Sequence, residues 1–199
     1  MNKNAFLNQH GNIVVYGRMV WPSVFTPSKM RGQGDDQAKY QITLLIPKTS
    51  NIDVLKEAAK EAAESKFGKK GSGIRSPFRK TEEKDKFVEA EVADDFPVYI
   101  TARKSAKDGI PPGVVGPNGK STDDPAQLYS GRWCYVSVQA FGYENSGNKG
   151  VSFGLVNVQL LDHDDPLNVG GGRVAAESEF EAVEGVSGDD TSSSDDLWK

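Results

Sequence analysis

A chain of 199 residues allows one domain with an appendage, and a hydrophobic share of 37% is low enough that part of it is expected to stay unpacked. No apolar run reaches the length of a membrane span, the first residues lack the basic-then-apolar pattern of a secretion signal, and one cysteine, Cys134, allows neither an internal disulfide nor a cysteine-based zinc site. The formal net charge of -4 speaks against a polyanionic partner only until it is divided: residues 167–199 hold two basic and eight acidic residues, a net of -6, which leaves +2 on residues 1–166.

In chain order, residues 13–20 alternate Ile13, Val15, Gly17 and Met19 against Val14, Tyr16, Arg18 and Val20, which predicts a strand closed by a turn between Pro22 and Pro27. Residues 28–38 are polar and Gly-rich, a loop. Lys39–Ile46 reads as a second strand, with Tyr40, Ile42, Leu44 and Ile46 on one face and Lys39, Gln41, Thr43 and Leu45 on the other. Pro47 ends it. A helix is predicted next, capped by Ser50 with Asp53 three residues on, packing through Ile52, Leu55, Ala59, Ala62 and Ala63 and stopped at Gly68.

Residues 66–80 contain six basic residues and no acidic one, interrupted by Gly and Pro, and are expected to form a basic loop. A charged mixed stretch precedes a third strand at 96–104, and residues 108–127 form a long Pro/Gly loop. Residues 132–143 alternate Cys134, Val136, Val138 and Ala140 against Trp133, Tyr135, Phe141 and Tyr143, and pair as a hairpin with residues 151–161. The expected fold is mainly β: a five-stranded, OB-fold-like Greek-key barrel with one inserted helix and long loops over 1–166, with a β-sandwich as the alternative. Beyond Pro166 the Gly, Ala, Glu, Ser and Asp content predicts a disordered acidic tail over 167–199.

Catalytic chemistry finds no footing. The segment from Gly116 to Thr122 (GPNGKST) looks like a phosphate-binding loop, but Val114 stands where the first glycine is required, and Pro111, Pro112 and Pro125 surround it. Asp162, His163, Asp164 and Asp165 read as a polar turn rather than metal ligands, because no second ligand cluster completes a shell. Cys134 falls on the valine face of its strand and is expected in the core. No nucleophile–base pair, metal site or cofactor site can be nominated, so the chain is expected not to be an enzyme.

Binding chemistry has three supports. The first is the set of aromatic rings expected on outer strand faces, which offer flat platforms to unpaired bases. Tyr16, Tyr40, Phe78, Trp133, Tyr135 and Phe141 are the candidate stacking residues. The second is basic residues beside those rings, which neutralise phosphates and release counterions. The candidates are Arg18, Lys39, Lys69, Lys70, Arg75, Arg79, Lys80, Arg103, Lys104 and Arg132. The third is the tail, where Asp189, Asp190, Asp195 and Asp196 lead into Leu197 and Trp198. Acid with an apolar tip suits docking on a basic, apolar partner surface, or competing with a polyanion for the chain's own basic groove.

The stretches GRMVWPSVFTPS, KYQITLLIPK with its Ala-rich helix, LYSGRWCYVSVQAFGYENSGNKGVSFGLVNVQLL and the tail together resemble the tailed-phage single-stranded DNA-binding proteins, which pair an OB-fold with an acidic C-terminal tail. The resemblance implies binding of single strands without sequence preference in phage or prophage DNA replication, recombination and repair. It also implies a tail that recruits replication or recombination proteins and regulates DNA binding. Related tails commonly finish on the aromatic residue, whereas this one adds Lys199. An RNA-binding or strand-annealing protein and a non-enzymatic virion or assembly protein are the alternatives. No membrane partner is expected; a homo-oligomer is compatible with the reading, and the single thiol points to a reducing setting, the cytoplasm of a host cell.

Overall fold

The strongest apolar alternations of the chain become the walls of a barrel. The computed structural model describes residues 1–167 and 169, apart from 30, 33, 70 and 85–89, so Lys70, the six tail residues named above and the expected disorder of the tail lie outside the described residues. In chain order the elements are β1 (Phe6–Leu7), β2 (Ile13–Ser28), β3 (Lys39–Ile46), α1 (Asp53–Phe67), β4 (Arg79–Lys80), α2 (Ala90–Asp95), β5 (Val98–Ser105), β6 (Gly113–Val115), β7 (Trp133–Asn145) and β8 (Asn148–Leu160). Antiparallel pairing joins β2 to β3, β3 to β5, β7 to β8 and β2 to β7. A short parallel contact, Ala102 opposite Phe153 and Arg103 opposite Gly154, closes the ring between β5 and β8. The result is the expected OB-fold: a closed five-stranded barrel in the order β2-β3-β5-β8-β7, with α1 between its second and third strands.

Inward-facing residues fill the barrel. Val15 and Met19 of β2, Ile42 and Leu44 of β3, Ile100 of β5, Cys134, Val136 and Val138 of β7, and Phe153, Leu155, Val158 and Leu160 of β8 are all buried. Leu55 and Ala59 of α1 join the same core. Phe153 has no exposed surface, so truncating it to Ala would cost about 3–5 kcal/mol.

Several local details differ from the sequence expectation for physical reasons. The first strand does not stop at Pro22. It runs on to Ser28, with irregular register against β3 between Val20 and Ser23 and again between Ser23 and Ser28. Those irregularities coincide with Pro22 and Pro27, which have no N–H to give to a ladder and are tolerated at bulges. Trp21 at the first of them has a φ of 48°, held by its N–H to the Ser130 hydroxyl and its indole N–H to the Val169 carbonyl.

The β7–β8 turn is tighter than ENSGNKG suggests. Only Ser146 and Gly147 lie between the strands, and both have positive φ, as a two-residue turn that matches strand twist requires. At the start of α1 the Asp53 N–H bonds Asn51 Oδ1, while the Ser50 hydroxyl is buried without a partner, so Asn51 and not Ser50 meets that end. Gly68 does end the helix, at a φ of 76°. The charged stretch before β5 contains the short helix α2, unanticipated because its apolar content is a single turn.

A second, smaller apolar cluster sits outside the barrel, made by Val20, Leu45, Val92 and Phe96 with Trp21, Tyr99, Trp133, Leu167 and Val169 packed against it. The chain therefore stays on the domain past residue 166: the Leu167 N–H bonds the Ser130 carbonyl.

Candidate nucleic-acid interface

Directly opposed residues of an antiparallel pair share a face. Lys39 opposes Ser105, Gln41 opposes Arg103, and Thr43 opposes Thr101. Tyr40, Ile42 and Leu44 point inward between them, so this second set lies on the outer face of β3 and β5. Across β8, Phe141 opposes Ser152 and Tyr143 opposes Gly150 on the projecting β7–β8 hairpin. Between these two outer faces runs a groove of about 640 Å³ lined by Lys39, Arg79, Lys84 and Arg103, the rings of Tyr99, Phe141 and Tyr143, and Thr101, Ser105, Asn145 and Ser152, with the 76–77 segment as a further wall. Among the described residues no acidic side chain lines it. The second and third barrel strands with the loop between the fourth and fifth form the surface on which OB-folds bind oligomers.

The electrostatics are those of an open cationic site. Among the described residues Lys39, Arg79 and Arg103 form no ion pair, although Arg103 Nε lies 3.3 Å from Gln41 Oε1. Lys84 lies over the rings of Trp21, at 4.3 Å, and Tyr99, at 5.2 Å. Desolvation pulls the Arg103 guanidinium below its usual value, with the Tyr143 phenol opposing the shift; an arginine so placed remains a cation at neutral pH. Burial pushes the Tyr99 phenol up, Arg79 opposing and Glu83 reinforcing, so its hydroxyl stays neutral. Phe141 is 45% exposed, an unusual state for so large an apolar ring.

The structure gathers Lys39, Arg79, Arg103 and Phe141 of the sequence candidates into this groove, and Arg75 immediately precedes its Ser76–Pro77 wall. The remaining candidates go elsewhere. Tyr40 is a core residue, 6% exposed, on the same inward phase as Ile42. Phe78 turns its ring edge-on to Phe153, at 5.7 Å, and packs on the core. Tyr16 and Trp133 stack on each other at 4.9 Å, with Phe96 at 5.9 Å and Arg18 at 5.6 Å from the Trp133 ring. Tyr135 meets Phe6 and Tyr16 edge-on and donates its hydroxyl to the Asn2 carbonyl. The rings of Tyr16, Trp133 and Tyr135 are spent on one another, and none of them lines the cationic groove.

Two arginines are corrected for the same reason. Arg18 is buried, bonding the Gly131 and Asp165 carbonyls and pairing with Asp164 at 3.5 Å. Arg132, 2% exposed, donates to the carbonyls of Leu161 and Gln127 and to the Gln127 side chain. Both tie down loops and cannot present a guanidinium to phosphate. Lys80 and Lys104 are exposed or half-buried and pair with Glu82 and Asp108, and Lys69 stands just past α1, outside the groove.

Tyr99, Tyr143 and Lys84 also line the groove and were not among the named candidates. Period-two alternation puts Tyr99 on the same strand face as Arg103 and Tyr143 on that of Phe141; for Lys84, in a mixed-charge stretch, the sequence carries no signal. The other motifs have structural roles. GPNGKST is a small hairpin, with Val115 bridged to Ser121, rather than a loop leading into a helix. In the 162–165 turn, Asp164 accepts the Trp133 indole N–H at 2.8 Å and His163 stacks on Tyr129. Burial pushes the Cys134 thiol far up, which removes it as a nucleophile at neutral pH. Among the described residues no group of three His, Cys, Asp or Glu side chains is placed to hold a metal ion.

Comparison with known proteins agrees with this fold. A family model described as the Enterobacter phage Enc34 ssDNA-binding protein matches residues 12–194. A curated relative, protein p50 of Acyrthosiphon pisum secondary endosymbiont phage 1, is 30% identical over 179 residues, covering 82% of this chain and 89% of its own. Among solved structures, the single-stranded DNA-binding protein of bacteriophage Enc34, in complex with ssDNA, has a TM-score of 0.63 at 22% identity over 83% of this chain and 94% of that one. The gp2.5 single-stranded DNA-binding protein of bacteriophage T7 has a TM-score of 0.56 at 16% identity, covering 89% and 100%. At such identities the two structures bear on the fold, and they share this one.

Proposed function

Since the chain belongs to the family of the phage Enc34 ssDNA-binding protein, we propose that its groove binds single-stranded DNA without reading sequence, in phage DNA replication, recombination and repair. The observation that carries this reading is the pairing, in one groove, of Lys39, Arg79, Lys84 and Arg103 with the rings of Phe141 and Tyr143. Cations hold the phosphates and release counterions, while rings stack bases of any identity. Phe141 and Tyr143 stand two residues apart on one strand face, about 6.8 Å at the usual strand rise. That is roughly twice the 3.4 Å rise between stacked bases of one duplex strand. Two neighbouring bases can each lie on a ring only if they are unpaired and drawn apart, so the site favours a single strand. The protein acts by occupancy, not by catalysis.

The tail belongs to the same proposal. Its net charge of -6 makes it a competitor for the groove cations and, with Leu197 and Trp198, a docking element for replication or recombination proteins in the host cytoplasm. Fluorescence anisotropy with a labelled oligo-dT, its RNA counterpart and a duplex of equal length tests the reading. Tight binding of the DNA strand, much weaker binding of the duplex, and a loss on Phe141→Ala are expected. Equal affinity for duplex and single strand would overturn it, and preference for the RNA strand would reassign the substrate.

A further inference from the structure

Both groove-facing rings of β7 lie against glycines of β8, but not in the same way. A β-carbon built on Gly150 would stand 2.6 Å from the Tyr143 hydroxyl oxygen, 2.7 Å from its Cζ and 2.8 Å from Cε1. The phenol therefore fills the space that any side chain at 150 would need. A β-carbon on Gly154 would reach the Phe141 ring only at 3.7 Å, an ordinary contact. Gly150 is not in the left-handed region, so its backbone does not require glycine; the neighbouring ring does. Gly17 offers the contrast: there a β-carbon would meet the Leu45 carbonyl oxygen at 2.2 Å, and backbone cannot step aside. At Gly150 the obstacle is the far end of one side chain, which can.

We propose that Gly150 is a positioning residue of the single-stranded DNA site, laying the Tyr143 ring across β8 so that it serves as the second base platform beside Phe141; this rests on the reading of the groove given above. The floor under that ring is fixed from both sides. Gly150 pairs with Tyr143 across the hairpin, and the 75–77 segment is tied to the same stretch of β8 by the Arg75 N–H to the Lys149 carbonyl and the Val151 N–H to the Arg75 carbonyl. Added bulk at 150 cannot sink into the barrel and must lift the ring. Arg103 lies on the adjoining wall, so a base on Tyr143 keeps its phosphate within the cationic side of the groove.

The test is a cycle of Tyr143→Leu, Gly150→Ala and the double variant in the full chain, with Gly154→Ala as control, read as oligo-dT affinity by anisotropy. Losing one stacking partner lowers affinity roughly 5-fold to 100-fold. Tyr143→Leu and Gly150→Ala should each fall in that range, the double variant should be no weaker than Tyr143→Leu alone, and Gly154→Ala should bind as wild type. Wild-type affinity of Gly150→Ala, or an equal Gly150→Ala loss with and without Tyr143, would overturn the proposal. Should Gly150→Ala lower the melting temperature, shortening the ring in Tyr143→Ala/Gly150→Ala should restore it, and failure to do so would also overturn it. A wild-type chain that ignores oligo-dT defeats the functional reading and this inference together; wild-type binding with indifferent variants defeats this inference alone.

Discussion

Replacing Arg103 with alanine removes one groove cation without disturbing the barrel, because its side chain sits on the outer face of β5 with Gln41 as its hydrogen-bond partner. Four cations line the groove: Lys39, Arg79, Lys84 and Arg103. If each neutralises one phosphate, the slope of log affinity against log salt is about -2.8, from about -0.7 per phosphate on a single strand. Between roughly 50 and 200 mM salt that slope lowers oligo-dT affinity about 50-fold. In Arg103→Ala the slope should relax to about -2.1 and the loss over the same range to about 20-fold. Lys56, exposed on α1 and paired with Asp53, is the control, and Lys56→Ala should leave the slope unchanged. Anisotropy titrations at five salt concentrations provide the measurement. A slope in Arg103→Ala equal to wild type, or a shift of the same size in Lys56→Ala, would refute the argument that phosphate is held in this groove.

Arg132→Met should destabilise the fold by about 2–4 kcal/mol, since it strips buried hydrogen bonds from the Leu161 and Gln127 carbonyls. Urea unfolding should show the loss, while the salt slope of the remaining folded protein stays at its wild-type value. Burial pushes the Asp164 carboxyl up, but the Asp165 N–H, the Trp133 indole and Arg18 outweigh it and hold it below the usual carboxylate range. A depressed folded pKa contributes stability that is present above the unfolded value, about 3.9, and is lost as pH falls through the lower folded value. Thermal melts should therefore show wild type more stable than Asp164→Asn near neutrality, with the gap closing in strong acid; a gap that widens there would reverse the sign. Truncation after Val169 should tighten oligo-dT binding at low salt and make little difference at high salt. Weaker binding of the truncated chain would mean the tail helps to build the site.

The barrel was legible because its strands alternate strongly. The inward set Cys134, Val136 and Val138 and the outward set Trp133, Tyr135, Phe141 and Tyr143 fall on the faces that period-two alternation assigns them. Tyr40 was legible too, since it shares the phase of Ile42 and Leu44, and its place as a stacking residue conflicted with its own strand. Alternation says which way a ring points, not what covers it. Whether Trp133 meets solvent or Tyr16 depends on strand pairing more than a hundred residues apart and on α2, neither of which a local pattern carries. The same holds for Arg18 and Arg132. A basic residue beside an aromatic one reads identically whether the guanidinium reaches solvent or turns back to cap carbonyls. The groove itself arises from long-range register, which brings Arg103 beside Gln41 and Phe141 onto the neighbouring wall. The need for glycine at 150 appears only once Tyr143 is seen to lie across it.

Photo-crosslinking locates the single strand on the barrel directly. Oligo-dT carrying 5-iodo-deoxyuridine, irradiated with the full chain and mapped by peptide mass spectrometry, should attach to Phe141 and Tyr143 on β7. Attachment at Trp133, Tyr135 or Tyr16 instead would place the strand outside the groove and overturn this assignment.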